Sequence, residues 1–308
     1  MKRVLSLPGI EVYEVPVGLE PHPDLIKAYI FLDVDSKIML LADPGPLSRC
    51  DAVRGGVEVF LDRGYELPSI LITHIHIDHY GAATRLAKEL GAKVLLHPRA
   101  VKHVAEPSKL WASSLEVMGN RANEYGKPYP LEEELVRPVN DGELLKWGRV
   151  QVETLHTPGH APHHQVYILN DALLISGDAA GGYNRDLDVV FTTSPPGLRL
   201  DLYMESLDKI EAKGFKYLAV THMDIAEKGK EALRRHRRQM EAWRQKVSEL
   251  LSRGVEPKLA DLLEVDAELS RYMESLRKTG LYPSIEGTIK SGFIAVVMEV
   301  RRLMSSQV

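Results

Sequence analysis

The run SILIT, residues 69–73, leads straight into THIHIDHYGA, residues 73–82, which holds His74, His76, Asp78 and His79 within six positions. The first run has the β-branched composition of a short buried strand. Four groups with lone pairs at its end need partners wherever they lose water. The chain is therefore constrained to a fold in which the carboxyl end of a strand opens onto a polar cleft, where open α/β sheets usually hold their ligands. Alternation puts His74, His76 and Asp78 on one side and Ile75 and Ile77 on the other. His79 breaks the pattern, and a helix is expected to begin near Tyr80. Three imidazoles and a carboxylate in one loop suit a borderline cation such as zinc.

The surrounding sequence alternates strand and helix signals up to about residue 225. IEVYEVPVG reads as a strand, and KAYIFLDVDSKIMLLADPGP as two strands joined at Val34–Lys37 and stopped by Pro44-Gly45. Residues 50–63 and 80–90 have helical spacing, and GAKVLLHP is the next strand. RVQVETLHTPGH, QVYILN, ALLISGD and KYLAVTH supply further strands, with a helix over 199–214 ended by Gly214. From residue 226 the pattern is helical. A long polar helix to Arg253 is followed by helices over 258–264, 267–278 and from about Ser284. The reading is an α/β core over 1–225 carrying a C-terminal helical extension over 226–308. Residues 100–147, with Trp111, Tyr125, Tyr129 and Trp147, read as irregular and suit a lid or pocket wall.

Histidine and carboxylate recur at other strand ends. His160 follows a Thr-Pro-Gly turn, Asp178 ends SGD, and His222 ends KYLAVTH. Taken with H-x-H-x-D-H at 74–79, these motifs make the chain, over roughly residues 10–225, similar to the metallo-β-lactamase-fold hydrolase superfamily, with a glyoxalase II-like branch within range. The resemblance implies a four-layer αββα sandwich and two divalent metal ions, zinc first, with iron or manganese as alternatives. It implies that His74, His76 and His160 hold one metal, that Asp78, His79 and His222 hold the other, and that Asp178 bridges them. Asp43, in LLADPGP, matches the family's early aspartate that supports the ligands from behind. His164 and Tyr183 are candidates for touching substrate or fixing a ligand. His22, His97, His103 and His236 read as ordinary surface or core residues.

Such a site implies a binuclear metal-dependent hydrolase in which a metal-bound hydroxide cleaves a small ester, thioester or lactone, with Asp78 as ligand and proton acceptor. The alternative is a metal-dependent nuclease acting on RNA or DNA. It is less favoured because the span between Asp178 and His222 is too short for the inserted domain that family nucleases carry. The run RRHRR at 234–238 reads as the solvated face of a helix. Composition narrows the remaining classes. A net charge of −4 gives no pull toward nucleic acid or anionic membranes. No apolar run approaches the ~20 residues of a membrane span, and no secretory signal is evident, so a cytoplasmic protein with a small-molecule substrate is expected. Homo-oligomerisation stays open. The single cysteine, Cys50, excludes an internal disulfide and a cysteine-built zinc site. Asn and Gln number five each against abundant Glu, Lys and Arg, a balance that fits a thermophilic source.

Overall fold

The computed structural model describes residues 1–280 and 282–306. Its first half is a seven-stranded sheet in sequential order, β1 (Lys2–Leu7), β2 (Ile10–Pro16), β3 (Lys27–Asp33), β4 (Ile38–Ala42), β5 (Glu66–Leu71), β6 (Lys93–Leu96) and β7 (Val136–Pro138). Strands β1–β4 are antiparallel, and β4–β7 run parallel, each step crossing over helices. These helices are α1 (Cys50–Leu61), the single turn α2 (Ile77–Tyr80), α3 (Ala83–Leu90), α4 (Val101–Ala105), α5 (Ser108–Met118) and α6 (Asn120–Tyr125).

The second sheet takes β8 (Leu144–Trp147), β9 (Val150–His156), β10 (Gln165–Leu169) and β11 (Leu173–Ile175) as an antiparallel meander. A small hairpin, β12 (Gly182–Asn184) with β13 (Val189–Phe191), and helix α7 (Leu200–Glu211) follow. Strand β14 (Tyr217–Ala219) then joins β11 in parallel, and β15 (Ile225–Ala226) closes the edge. Four helices complete the chain, α8 (Gly229–Ser252), α9 (Leu259–Leu263), α10 (Ala267–Thr279) and α11 (Tyr282–Ser305).

The period-2 alternation of the strands explains the layering. In β3, Ile30 and Leu32 face the helices α1 and α3, while Tyr29 and Phe31 face the other sheet. In β10, Val166 and Ile168 face α7 and α8, while Tyr167 and Leu169 face the first sheet. The result is three apolar cores between four layers, helix–sheet–sheet–helix, as the resemblance implied. Each fully buried aliphatic or aromatic side chain contributes roughly 1.5–3 kcal/mol toward this packing. Helix α8 shares the outer core of the second sheet through Leu233, Met240, Trp243 and Val247, and α10 and α11 pack on the same core.

Three segments differ from the sequence reading. The charged start of the chain forms the edge strand β1. Residues 100–147 hold three helices and two strands, with breaks at Gly119 and Gly126, both at positive φ. Residues 182–191, read as loop, form the β12–β13 hairpin. Here short elements with mixed polarity took their structure from tertiary packing rather than periodicity.

Candidate metal centre

The cluster forms because several strands end at one edge of the sandwich. Strand β5 delivers His74 and His76, and α2 follows at once, about three residues earlier than the sequence suggested, so that Asp78 and His79 lie on a helical turn. Gly81 allows that turn to sit against the chain after β4, since a Cβ there would press on Ile77 O and Leu47 N. The loop after β9 brings His160, the loop after β11 brings Asp178, and the loop after β14 brings His222. Gly177, at φ +49°, lets the β11 loop run against Thr73 and His164, where a side chain would collide.

All seven residues converge. His74 Nε2 lies 2.9 Å from His76 Nδ1, and His160 Nε2 lies 3.1 Å from the same nitrogen. Asp178 sits between two groups. Its Oδ2 is 3.4 Å from His160 Nε2, and its Oδ1 is 3.5 Å from His79 Nε2 and 3.3 Å from His222 Nε2. Asp78 Oδ2 lies 3.8 Å from His222 Nε2. The donor atoms of His74, His76 and His160, and those of Asp78, His79 and His222, lie within 4.8 Å of one another in each set.

These contacts suit a metal better than a hydrogen-bond network. When three imidazole nitrogens face one another, at least one pair must oppose lone pair to lone pair or proton to proton unless a cation sits among them. Ligand atoms about 2.0–2.1 Å from a tetrahedral zinc lie roughly 3.3 Å apart, close to the separations observed. His79 Nε2 and Asp178 Oδ1 are buried with no hydrogen-bond partner. Burial, then the neighbouring imidazoles, hold His74 well below the usual histidine range. Burial likewise lowers His76 and His160 against the pull of nearby aspartates, so all three present neutral nitrogens. For His79, burial acts downward but the carboxylates of Asp178 and Asp78 outweigh it and raise the ring. For Asp178, burial acts upward and His222, His79 and His160 outweigh it, holding the carboxyl well down.

Behind the cluster stands Asp43, at φ +41° directly after β4. Its Oδ1 accepts the Thr73 N–H at 2.9 Å. Its Oδ2 accepts from Thr73 Oγ1 at 2.7 Å and Thr221 Oγ1 at 2.9 Å, and pairs with His79 Nδ1 at 3.0 Å. A fixed Nδ1–H leaves His79 Nε2 facing Asp178. The two threonines were not singled out in the sequence, although the repeated Thr-His at 73–74 and 221–222 carries the signal.

The remaining candidates have other work. His164 pairs through Nδ1 with Thr157 Oγ1 at 2.8 Å and accepts the Asp178 N–H through Nε2 at 3.2 Å, so it holds the Asp178 loop. Burial pushes it down to about 3. Tyr183 does not line the cavity above the cluster; its hydroxyl donates to Asp188 Oδ1 at 3.0 Å. His156 turns away, its Nε2 at 3.0 Å from Val139 O. His163 and His103 do reach the cavity. That cavity holds about 700 Å³, with His76, Asp78, Asp178 and His222 on its floor. Its walls come from α5 (Leu110, Val117, Met118), from Tyr125 and Phe191, and from Ile285 on α11.

The sequence of residues 63–222, which supplies every one of these ligand positions, matches the family model of the metallo-β-lactamase superfamily. The chain belongs to that superfamily. It is 31% identical over 212 residues to the metallo-β-lactamase fold-containing protein ST1585 of Sulfurisphaera tokodaii, across 67% of this chain and 76% of that protein. Similarity also extends to YqgX of Bacillus subtilis, named a probable metallo-hydrolase, at 35% identity over 56% of this chain and 72% of that one. Among solved structures, that of ST1585 superposes with a TM-score of 0.69 at 23% identity, covering 92% of this chain and 97% of that chain. TTHA1429 of Thermus thermophilus gives 0.64 at 22% identity over 96% and 94%. Membership in this superfamily makes the chain a metallo-hydrolase, and its His and Asp clusters are compatible with a metal site. Among the described residues no helix is long and apolar enough to cross a membrane.

Proposed function

We propose that this metallo-hydrolase is binuclear and cleaves a small ester, thioester or lactone whose apolar part lies in the cavity above the ligand cluster. The observation that carries this reading is the position of Asp178 between two three-residue donor sets on the floor of an apolar-walled cavity. His74, His76 and His160 form one set, and Asp78, His79 and His222 the other, with Asp178 shared. Two divalent ions held there would polarise the scissile carbonyl and bring a water's pKa down toward neutrality. Asp78, buried but lining the cavity, is placed to take the proton that the attacking water gives up. Leu110, Val117 and Met118 press the acyl part against the floor and exclude bulk water.

A nuclease is less well supported. In RRHRR, Arg234 pairs with Glu211, Arg235 with Asp188 and Glu268, and Arg237 with Asp208, which leaves few of these charges for phosphates.

The test is elemental analysis of protein purified without chelators or a metal-affinity column, followed by a panel of thioesters, lactones and RNA with the metal found. About two equivalents of zinc, iron or manganese, with turnover of a thioester or lactone, is the expected result. Asp178→Ala should abolish that turnover with the fold intact, since His164 and Tyr203 hold the backbone of residue 178 rather than its side chain. A single tightly bound metal, or full activity in Asp178→Ala, would overturn the shared-carboxylate assignment.

A further inference from the structure

A second cavity of about 570 Å³ adjoins the first, lined by Arg99, Lys102, His103, Pro162 and His163 among others. His103, Pro162 and His163 line both cavities, so the two spaces meet at that wall. His163 Nδ1 is buried there with no hydrogen-bond partner. Lys109, at the start of α5, lines the larger cavity near the junction. Burial, followed by the charges of Lys102 and Lys109, holds His103 below the ordinary histidine range.

Arg99, Lys102 and Lys109 are exposed and enter no ion pair among the described residues. The only hydrogen bond of the Arg99 side chain is a long one, 3.5 Å, to Pro162 O. Many cations elsewhere on the surface are matched. Arg85 meets Asp51 and Glu89, Lys209 meets Asp141, and Lys246 meets Glu264. The acids nearest the junction are engaged elsewhere. Glu20 pairs with Arg49, Glu124 accepts from Asn120, and Glu106 caps the first turn of α5 through Ser108 N. An unmatched basic set at the mouth of a cavity, with its acids turned away, is an anion site in electrostatic terms.

We infer that the rim formed by Arg99, Lys102, His103 and Lys109 binds the phosphate groups of the substrate's leaving group, so that the substrate is an acyl thioester of a thiol bearing a nucleoside diphosphate or a similar phosphorylated carrier. This rests on the hydrolase reading above. Three cations around one opening match a group with several phosphate charges better than a single carboxylate. The apolar acyl part then lies on Leu110, Val117 and Met118, and the thioester carbon over the ligand cluster. Hydrolysis breaks the C–S bond. The water oxygen becomes part of the product carboxylate, and the released thiol keeps one proton while the other goes to solvent. Nucleic acid fits less well, because most cations of helix α8 are paired, Arg234, Arg235 and Arg237 among them.

The test uses the metal-loaded full chain and compares it with Lys102→Gln/Lys109→Gln. Calorimetric titration with a nucleoside diphosphate, and with the same nucleoside lacking phosphate, reads the rim without any turnover. The wild type should bind the diphosphate form at least about tenfold more tightly than the nucleoside, and the variant should lose that difference. In hydrolysis, the variant should raise KM for the nucleotide-bearing thioester roughly tenfold at unchanged kcat. A thioester of the same acyl group on a small neutral thiol should be unaffected. Diphosphate binding that is absent, or equal in the variant, overturns the anion site even if the enzyme is an active hydrolase. Diphosphate binding without turnover of either thioester keeps the anion site and removes the hydrolase reading. Single-stranded RNA that binds more tightly than the diphosphate and is lost in the variant would reassign the rim to nucleic acid and overturn the small-substrate proposal.

Discussion

Asp43 and His79 are joined by an Oδ2···Nδ1 contact of 3.0 Å between groups buried to 1% and 0% side-chain exposure. That contact decides which imidazole nitrogen faces Asp178.

Asp43→Asn tests it. Asparagine tolerates the positive φ at this position. Its amide has only one oxygen, so it cannot serve both the Thr73 N–H and the side chains of Thr73, Thr221 and His79, which bond to different oxygens of the carboxylate, and its NH2 would face a donor. Metal affinity of the His79 set should fall about 10–100-fold while the His74 set keeps its own. Stepwise metal competition against a chromophoric chelator would read the two sites separately; equal weakening of both would show that Asp43 does not act through His79.

Tyr183→Phe should leave hydrolysis unchanged. The hydroxyl it removes donates to Asp188 on the outside of the hairpin. The loss of one partly exposed hydrogen bond should cost about 0.5–1.5 kcal/mol in a urea titration. A collapse of kcat with unaltered stability would return this tyrosine to the active site.

His236 is fully buried on α8 between Tyr203, at 2.7 Å, and Gln239, at 3.3 Å, and burial pushes it down to about 4. With the folded value below the unfolded one, the unfolded chain takes up the proton first as pH drops below about 6.5. This ring therefore subtracts stability between pH 6.5 and about 4, by roughly 1.4 kcal/mol per pH unit, and has no effect above that window. His236→Gln should flatten the acid side of the stability–pH curve by that slope. An unchanged slope in urea titrations at pH 7, 6 and 5 would mean that the ring protonates in the folded protein.

Asp266 caps α10 through Leu269 N at 2.9 Å and receives Trp243 Nε1 at 2.7 Å and Gln239 Nε2 at 2.8 Å. Asp266→Ala leaves buried donors unsatisfied, for an expected loss of about 2–4 kcal/mol. Metal content should be unaltered. Unfolding followed by tryptophan emission together with elemental analysis would check both halves of that expectation.

The residues that converge at the candidate site were legible because strand ends are short-range features. SILIT, ALLIS and KYLAV each name a strand, and the polar residue after it names the ligand. What lay beyond reach depended on contacts far apart in the chain. The roles of Tyr183 and His164 follow from Asp188 and from Asp178 N–H, and no spacing announces either pairing. The helices α4–α6 were unreadable for a related reason. Their apolar residues serve the core, through Trp111 and Leu115, the cavity, through Val117, and both, through Leu110 and Met118, so no single stripe marks them. The long helices α8, α10 and α11 each keep one apolar face, and their extents were anticipated to within a few residues.

Thr73 follows a strand of one sheet and Thr221 a strand of the other, and both hydroxyls end on the same Asp43 oxygen. The two β-layers are thereby riveted where their strands finish, and Tyr29 adds a second rivet through its hydroxyl to Val220 O. Sliding one layer past the other would shear this joint before it altered a ligand distance. The floor of the site is thus an anvil, and whatever opening admits a substrate must be made by the helical walls above it.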